Sequence, residues 1–404
     1  MSKTTTVRTR ATVRRVALLS ICAGLLVGAP SSMVFGQETD QTTTPETTAR
    51  DDPAGDKPKK SFPVIPIPIF VTEPAIGYGL GAAVGYFHKR KDNNREGSPD
   101  LAPAFTTGTP PGSGRDKESK RPPTITGVAA AYTDTNTWVV GAGHSASWKQ
   151  DTIRYQGALA YANINSTFFF LDVPFDFNLK GGILYQNIRF RLGRGDFFLG
   201  GKLSYLNANG GFKLSDGAPD ELFERDTNDA GLAFQAVWDT RDNTMTPDDG
   251  QLFEAVVWRY DDALGGHFDY WKGELKVLTF HRFAQRFVLG FRFDVDAVDG
   301  TPPLWAYPWI SLRGIPALRY QNEIAGVVET ELRWNILKRW AVVGFVGVGA
   351  TRGDTLRYED ESGIVAGGVG GRWLFRPEDS LWIGVDVATG PEDTYAYIQV
   401  GHAW

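Results

Sequence analysis

Apolar and polar residues alternate with a period of two through most of the chain beyond residue 60. The pattern is sharpest at 286–296, where Arg286, Val288, Gly290, Arg292, Asp294 and Asp296 interleave with Phe287, Leu289, Phe291, Phe293 and Val295. It recurs at 323–335. There Ala325, Val327, Glu329, Glu331 and Arg333 share one side, and Gly326, Val328, Thr330, Leu332 and Trp334 share the other. Successive side chains of a strand point to opposite faces, so this alternation marks strands lying between two different media. A soluble sandwich would hide the apolar face in a core. A membrane barrel turns that face to lipid and keeps the charges in a wet lumen.

Segments of this kind predict an all-β chain: a transmembrane antiparallel β-barrel. A first strand lies within 61–87, and seven follow at about 124–133, 136–148, 152–163, 165–172, 177–193, 196–212 and 229–240. Three more run at about 251–262, 266–281 and 284–298, and five at about 323–335, 339–352, 362–375, 380–389 and 394–403. The total is sixteen, with fourteen as the alternative; an even count suits a closed bacterial barrel. Residues 88–122 are polar, rich in Pro and Gly and without period, which predicts a long outer loop. Residues 213–228 read as an acidic outer loop.

The first 60 residues belong to no strand. Lys3, Arg8, Arg10, Arg14 and Arg15 precede an apolar run, Val16 to Ala29, and small residues follow, which predicts a signal peptide over 1–36 with cleavage before Gln37. That run is shorter than the roughly 20 residues a spanning helix needs. Residues 37–60 carry Thr, Asp, Pro and Lys without apolar period and read as a disordered periplasmic tail, leaving 61–404 as the outer-membrane barrel. Removing 1–36 takes away five basic residues and no acid, so 37 basic residues remain against 47 acidic ones and the formal charge moves from −5 to −10. Cys22, the single cysteine, leaves with them; Ile21 before it argues against a lipid attachment site. An acidic chain without a basic stripe excludes nucleic acid as a partner.

One loop stands out. Trp305 to Trp309 is aromatic and proline-broken, Leu312-Arg313-Gly314-Ile315 follows, and the strand after it carries Glu331-Leu332-Arg333. This order resembles the sixth loop and next strand of the BamA/TamA outer-membrane assembly superfamily, whose (V/I/L)-R-G-(F/Y) element folds back into the barrel. The resemblance implies that Arg313 pins the loop to an acid of the inner wall, with Glu331 the first candidate partner and Glu329 the second. Two departures accompany it. Ile315 stands where the family has an aromatic, so any ring-stacking part of the contact is expected to be missing. Gly347, in Gly344-Phe345-Val346-Gly347-Val348-Gly349, stands where the family has an aspartate, leaving Glu329 or an aspartate elsewhere to substitute.

Further elements fit the same resemblance. Pro63, Pro66 and Pro68 precede Gly77, Gly79, Gly81 and Gly85, a pattern similar to members without POTRA domains, and residues 37–60 leave no room for such a domain. Asp239-Thr-Arg-Asp-Asn-Thr-Met-Thr-Pro-Asp-Asp-Gly250 resembles the family's D-x-R-D turn before a strand; its spacing is not that of an EF-hand loop. The final strand, with Tyr395, Tyr397 and a terminal Trp404, resembles the signal that outer-membrane barrels present to their assembly machinery.

What the resemblance implies for function is membrane-protein or lipid insertion or translocation, in contact with outer-membrane lipid and served by the barrel assembly machinery during biogenesis. The alternatives are a passive outer-membrane pore or structural surface protein, and an outer-membrane hydrolase. Expected lumen residues Lys272, Glu274, Lys276, Arg292, Asp294, Asp296 and Arg333 mix signs, which gives no strong ion selectivity. Against a hydrolase, no GxSxG elbow occurs, and His144 and Ser145, as strand neighbours, point to opposite faces. No catalytic residue, metal or cofactor is expected.

Overall fold

In the computed structural model the strands form one antiparallel sheet rolled into a barrel. The structure describes residues 33–34, 64–73, 77–88, 122–170, 173–214, 225–303, 305–316, 319–354, 360–377 and 380–404. The domain readings 1–36 and 37–60 therefore fall almost wholly outside the described residues. Sixteen strands follow one another: β1 (Val64–Glu73), β2 (Gly77–Phe87), β3 (Ile125–Thr133), β4 (Trp138–Trp148), β5 (Ile153–Phe170), β6 (Val173–Arg191), β7 (Phe197–Leu214), β8 (Arg225–Asp239), β9 (Gly250–Tyr260), β10 (Tyr270–Ala284), β11 (Phe287–Gly300), β12 (Ile324–Leu337), β13 (Trp340–Arg352), β14 (Glu361–Arg376), β15 (Leu381–Thr389) and β16 (Thr394–Val400).

Every consecutive pair is antiparallel; Glu329, for example, faces Arg292 of β11 and Gly347 of β13. Ile398 of β16 packs against the cluster of Ile69 of β1 and Ala131 of β3. The two-residue stretch Met33–Val34 also pairs with β16. Among the described residues helical structure is limited to short turns such as Asp262–Leu264, and no helix is long and apolar enough to cross a membrane.

The predicted alternation sorts the faces. Outward stand Leu332, Trp334, Val346, Val348, Val385 and Val387, all exposed, while Glu329, Glu331, Arg333 and Asp386 point inward and are buried. Outward aromatics gather near the strand ends. Tyr86, Trp148, Phe190, Trp238, Trp334 and Trp373 lie beside the short turns, and Tyr132, Tyr161 and Trp271 lie nearer the opposite rim. The end with the short turns is called the turn end below, and the other the loop end.

Four expectations about strands are corrected. The segment 61–87 contains two strands, not one: they lie on either side of Pro74, which has no N–H for a ladder. The expected strands 152–163 and 165–172 are one, β5, because Asn163 and Asn165 do not break it. Both accept hydrogen bonds from the Asn178 amide of β6, at 3.1 and 2.8 Å. The strand is 18 residues long, more than the 9–11 that cross a bilayer, so its paired asparagines lie past the apolar band. These two differences compensate in the count. Residues 89–121 lie outside the described residues, but both ends of the connection expected as an outer loop lie at the turn end, where Phe87 pairs with Ile125 and packs with Met245 and Leu381. Finally, β16 stops at Val400, and 401–404 turn inward rather than extending the strand.

Candidate functional site

The connection between β11 and β12 folds into the barrel. It is a small hairpin of its own: Trp309 bridges Gln321, the Ile310 N–H donates to the Tyr320 carbonyl at 3.0 Å, and the Asn322 N–H donates to that of Pro308 at 3.1 Å. Its apolar side chains touch the wall in three places. Trp305 packs on Ala160, Ala162, Leu179 and Leu206 of β5–β7. Tyr307 packs on Tyr270 and Val298 of β10 and β11, and Ile310, Leu312 and Ile315 pack on Val327 and Ala366 of β12 and β14. The aromatic, proline-broken sequence thus supplies a core for a barrel interior that strands alone would leave hollow.

Arg313 lies at the centre of this arrangement, 3 % exposed. Its Nε and Nη2 donate to Glu329 Oε1 at 3.0 and 2.7 Å, and its Nη1 donates to Asp386 Oδ2 of β15 at 2.8 Å. The same Nη1 lies 2.8 Å from Glu331 Oε2. Glu329 and Glu331 are each 2 % exposed and Asp386 is fully buried. Two further guanidiniums balance the three carboxylates. Arg292 donates to Glu329 Oε2 at 3.3 Å and to the Ser311 carbonyl at 3.1 Å, and Arg372 donates to Asp386 Oδ2 at 2.9 Å. Buried charges are tolerated when paired, and the ion pairs of this cluster come from five elements; Glu331 Oε2 faces Arg313 Nη1 without accepting a hydrogen bond.

The residues around Arg313 explain the departures from the family pattern. The guanidinium carbon sits 3.4 Å from the centre of the Phe345 ring, so a ring contact exists, supplied by β13 instead of position 315. This corrects the expectation that ring stacking is missing. Ile315 packs into the apolar cluster, and its N–H closes the turn onto the Leu312 carbonyl at 3.1 Å. Gly314 has φ +95°, and a Cβ there would meet the Thr389 carbonyl carbon at 2.9 Å, so both conformation and space require glycine. Its N–H donates to the Tyr397 hydroxyl at 2.7 Å. A Cβ on Gly347 would fall 2.6 Å from Leu312 Cδ2. The place of the missing aspartate is filled by the loop itself, and Asp386 supplies the acid from another strand.

Tyr395 and Tyr397 both pack with Val343 and Phe345 on the inward side, and the outward side of β16 carries Ala396, Ile398 and Val400. Trp404 is inside as well, its indole N–H donating to Glu329 Oε2 at 2.7 Å. None of the three aromatics faces outward.

Elsewhere on the inner wall opposite charges pair. Lys272 meets Glu274 at 3.0 Å, Lys202 meets Glu254 at 2.9 Å, and Arg292 donates to Asp294 at 2.7 Å. At the turn end the Asp239–Gly250 element also folds inward. Arg154 of β5 donates to Asp239 at 2.7 Å, and Asn243 Oδ1 accepts the N–H groups of Met245 and Thr246 at 2.7 and 2.9 Å. Asp248 pairs with Arg333 of β12 and Arg282 of β10. Among the described residues no group of three or more His, Asp and Glu is arranged to hold a metal.

Sequence reasoning did not single out Asp386, Phe345 or the inward position of Trp404. The signal for Asp386 was present: a lone acid between Val385 and Val387, alternating with outward valines on its strand.

No family model and no curated protein matches the sequence. Solved structures do resemble the fold. BamA from Haemophilus ducreyi lacking POTRA domains 1–3 aligns with a TM-score of 0.53 at 8 % identity, over 84 % of this chain and 69 % of that one. CdiB from Escherichia coli aligns at 0.57 and 11 % identity, over 85 % of this chain, and CdiB from Acinetobacter baumannii at 0.53 and 10 %, over 84 %. The chain spans 63 % and 60 % of those two CdiB chains. At such low identity the likeness is one of fold: this chain, with its sixteen strands, has the barrel architecture of BamA and CdiB.

Proposed function

We propose that this chain is an integral outer-membrane barrel of the BamA/TamA superfamily that assists insertion or translocation of membrane proteins or lipids, with Arg313 anchoring the loop 301–323 inside. The observation that carries this is the position and partners of Arg313. It lies in the loop between the eleventh and twelfth of sixteen strands, buried among Glu329, Glu331 and Asp386. A loop held this way occupies the lumen, which disfavours a passive pore. The outward face supports a bilayer as its medium: exposed aliphatic residues between belts of Trp and Tyr fit hydrocarbon flanked by two interfaces. Export by residues 1–36, delivery to the assembly machinery through the last strand, and contact with outer-membrane lipid belong to the same reading.

The test has two parts. Purified protein should migrate differently on detergent gels before and after boiling, because spanning strands satisfy their backbone groups only by closing. It should then speed the insertion of a second, unfolded barrel into liposomes relative to protein-free liposomes. Identical migration together with extraction by carbonate overturns the integral-barrel reading. A heat-shifted protein that leaves insertion unchanged overturns the assisting role alone.

A further inference from the structure

The turn end has a closure of its own, unrelated in sequence to the loop. After β16, Gly401 adopts φ +86° and its N–H donates to the Trp382 carbonyl at 2.7 Å, which bends the chain into the lumen. The His402 N–H then donates to the Met245 carbonyl of the turn 240–249 at 2.7 Å. Ala403 and Trp404 cross to the far wall. There they pack with Phe198, Val237, Leu252, Leu278 and Phe280, drawn from β7 to β10.

That wall is anomalous. The neighbouring inward positions carry Lys202, Glu254, Glu274 and Lys276, as a wet lumen demands, yet at the turn end five large apolar side chains face inward. In an open channel they would face water. Ala403 and Trp404, 3 % and 5 % exposed, pack against them, and the guanidiniums of Arg154 and Arg191 cover the Phe198 ring. Gly290 of β11 leaves the space: a Cβ there would lie 2.8 Å from the Trp404 ring.

The segment is also tied to the loop. Glu329 accepts Arg313 through Oε1 and the Trp404 indole through Oε2, and Glu331 lies 3.3 Å from His402 Nε2. Beneath it, Pro247 is buried and Asp248 holds the turn 240–249 to Arg333, on the same face of β12. Loop and segment 401–404 thus share Glu329 and Glu331 of β12, and the turn meets the same strand at Arg333.

From this we infer that segment 401–404 is a built-in plug of the turn end, coupled to the Arg313 loop through Glu329, so that the lumen is sealed at two levels. The inference rests on the barrel reading and goes beyond the loop anchor. Any solute or chain entering from the turn end meets the plug before the loop.

The test uses the full chain with Cys22→Ser and Ala403→Cys, folded in detergent and treated with a charged thiol reagent. The thiol introduced at position 403 should react about 100-fold more slowly than that of a Lys149→Cys control, since labelling requires local opening of the plug. Adding Arg313→Ala should speed labelling at position 403 by about tenfold or more through loss of the shared carboxylate contact. In planar bilayers, replacing His402, Ala403 and Trp404 by Gly-Ser-Gly should raise the conductance of heat-shifted protein at least about fivefold over the parent. Labelling at position 403 as fast as at position 149 overturns the plug, whatever becomes of the membrane function. Labelling that is slow but indifferent to Arg313→Ala overturns the coupling. Unchanged conductance in a replaced barrel that still shows the heat shift overturns the seal. If the replaced variant does not fold, the labelling of the otherwise intact chain decides.

Discussion

The two connections that fold into the barrel, 301–323 at the loop end and 240–249 at the turn end, are held to the same strand by ion pairs of opposite sense. At the loop end the cation is on the connection, Arg313, and the acids are on the wall. At the turn end the acid is on the connection, Asp248, and the cation on the wall is Arg333. Solvent separates them further. The side chains of Arg313, Glu329, Glu331 and Asp386 are all at most 2 % exposed, whereas that of Asp248 is 31 % exposed. A buried charge without its partner is costly, and one that water can reach is not. The outer loop therefore depends on its ion cluster. The inner turn depends on its backbone: the Asn243 cap, the Asp242 carboxylate accepting the Asp248 N–H at 3.0 Å, and the buried Pro247.

Substitutions at Arg313, Gly347 with Leu312, and Asp248 test that difference. Arg313→Ala removes the cation shared by three buried carboxylates: Glu329 keeps Arg292 and Asp386 keeps Arg372, while Glu331 loses its arginine. The change should cost about 3–5 kcal/mol of stability in denaturant unfolding. Proteases should then cut within 305–316. Arg313→Lys should recover only part of this, because an ammonium cannot span Glu329 and Asp386 with a fixed fork. If Arg313→Ala is as stable and as protease-resistant as the parent, the loop is not held by charge.

Gly347→Asp places an acid on the wall beside Arg313 and should nonetheless destabilise, by about 1–3 kcal/mol, because the new Cβ overlaps Leu312. Trimming the obstacle with Leu312→Ala should make the second substitution less harmful than it is alone. Strictly additive losses would mean that the two side chains do not share the space.

The smallest effect belongs to the turn. Asp248→Asn should change stability by about 1 kcal/mol or less, and that difference should shrink further in high salt. A loss comparable to that of Arg313→Ala would erase the contrast between the two ends.

The sequence made one side of this cluster readable and hid the other. Arg313 and Glu329 are 16 residues apart, and the alternation that puts Glu329 and Glu331 on one face is a local property of a strand. Strands such as β11 were equally plain, because charges and phenylalanines alternate without a break. Asp386 is 73 residues from Arg313, and Trp404 is 75 from Glu329. Their meeting is set by the curvature of sixteen strands, which no local period encodes. The asparagines of β5 misled for a related reason. Asn is a turn former in isolation, and only the register with β6 gives Asn163 and Asn165 a cross-strand partner. The glycines of β13 carried a signal of a different kind. Gly347 and Gly349 record where Leu312 and Ile310 press on the wall, which becomes visible only once the loop is known to be inside.

That location is the central claim, and a cross-link tests it most directly. A Cβ built on Gly349 lies 3.2 Å from Ile310 Cβ, close to the separation a disulfide bridges. In a Cys22→Ser background, Ile310→Cys with Gly349→Cys should oxidise to a bridge in the heat-shifted, folded barrel. The register pair Val328 and Val348, both replaced by cysteine and joined by a short thiol cross-linker, serves as the positive control on the same strand, β13. Closure of the 310–349 bridge at a rate comparable to the control is the predicted result. A folded barrel in which the control links while the thiol at position 310 remains free and reagent-accessible would contradict the account, because the loop would then lie outside.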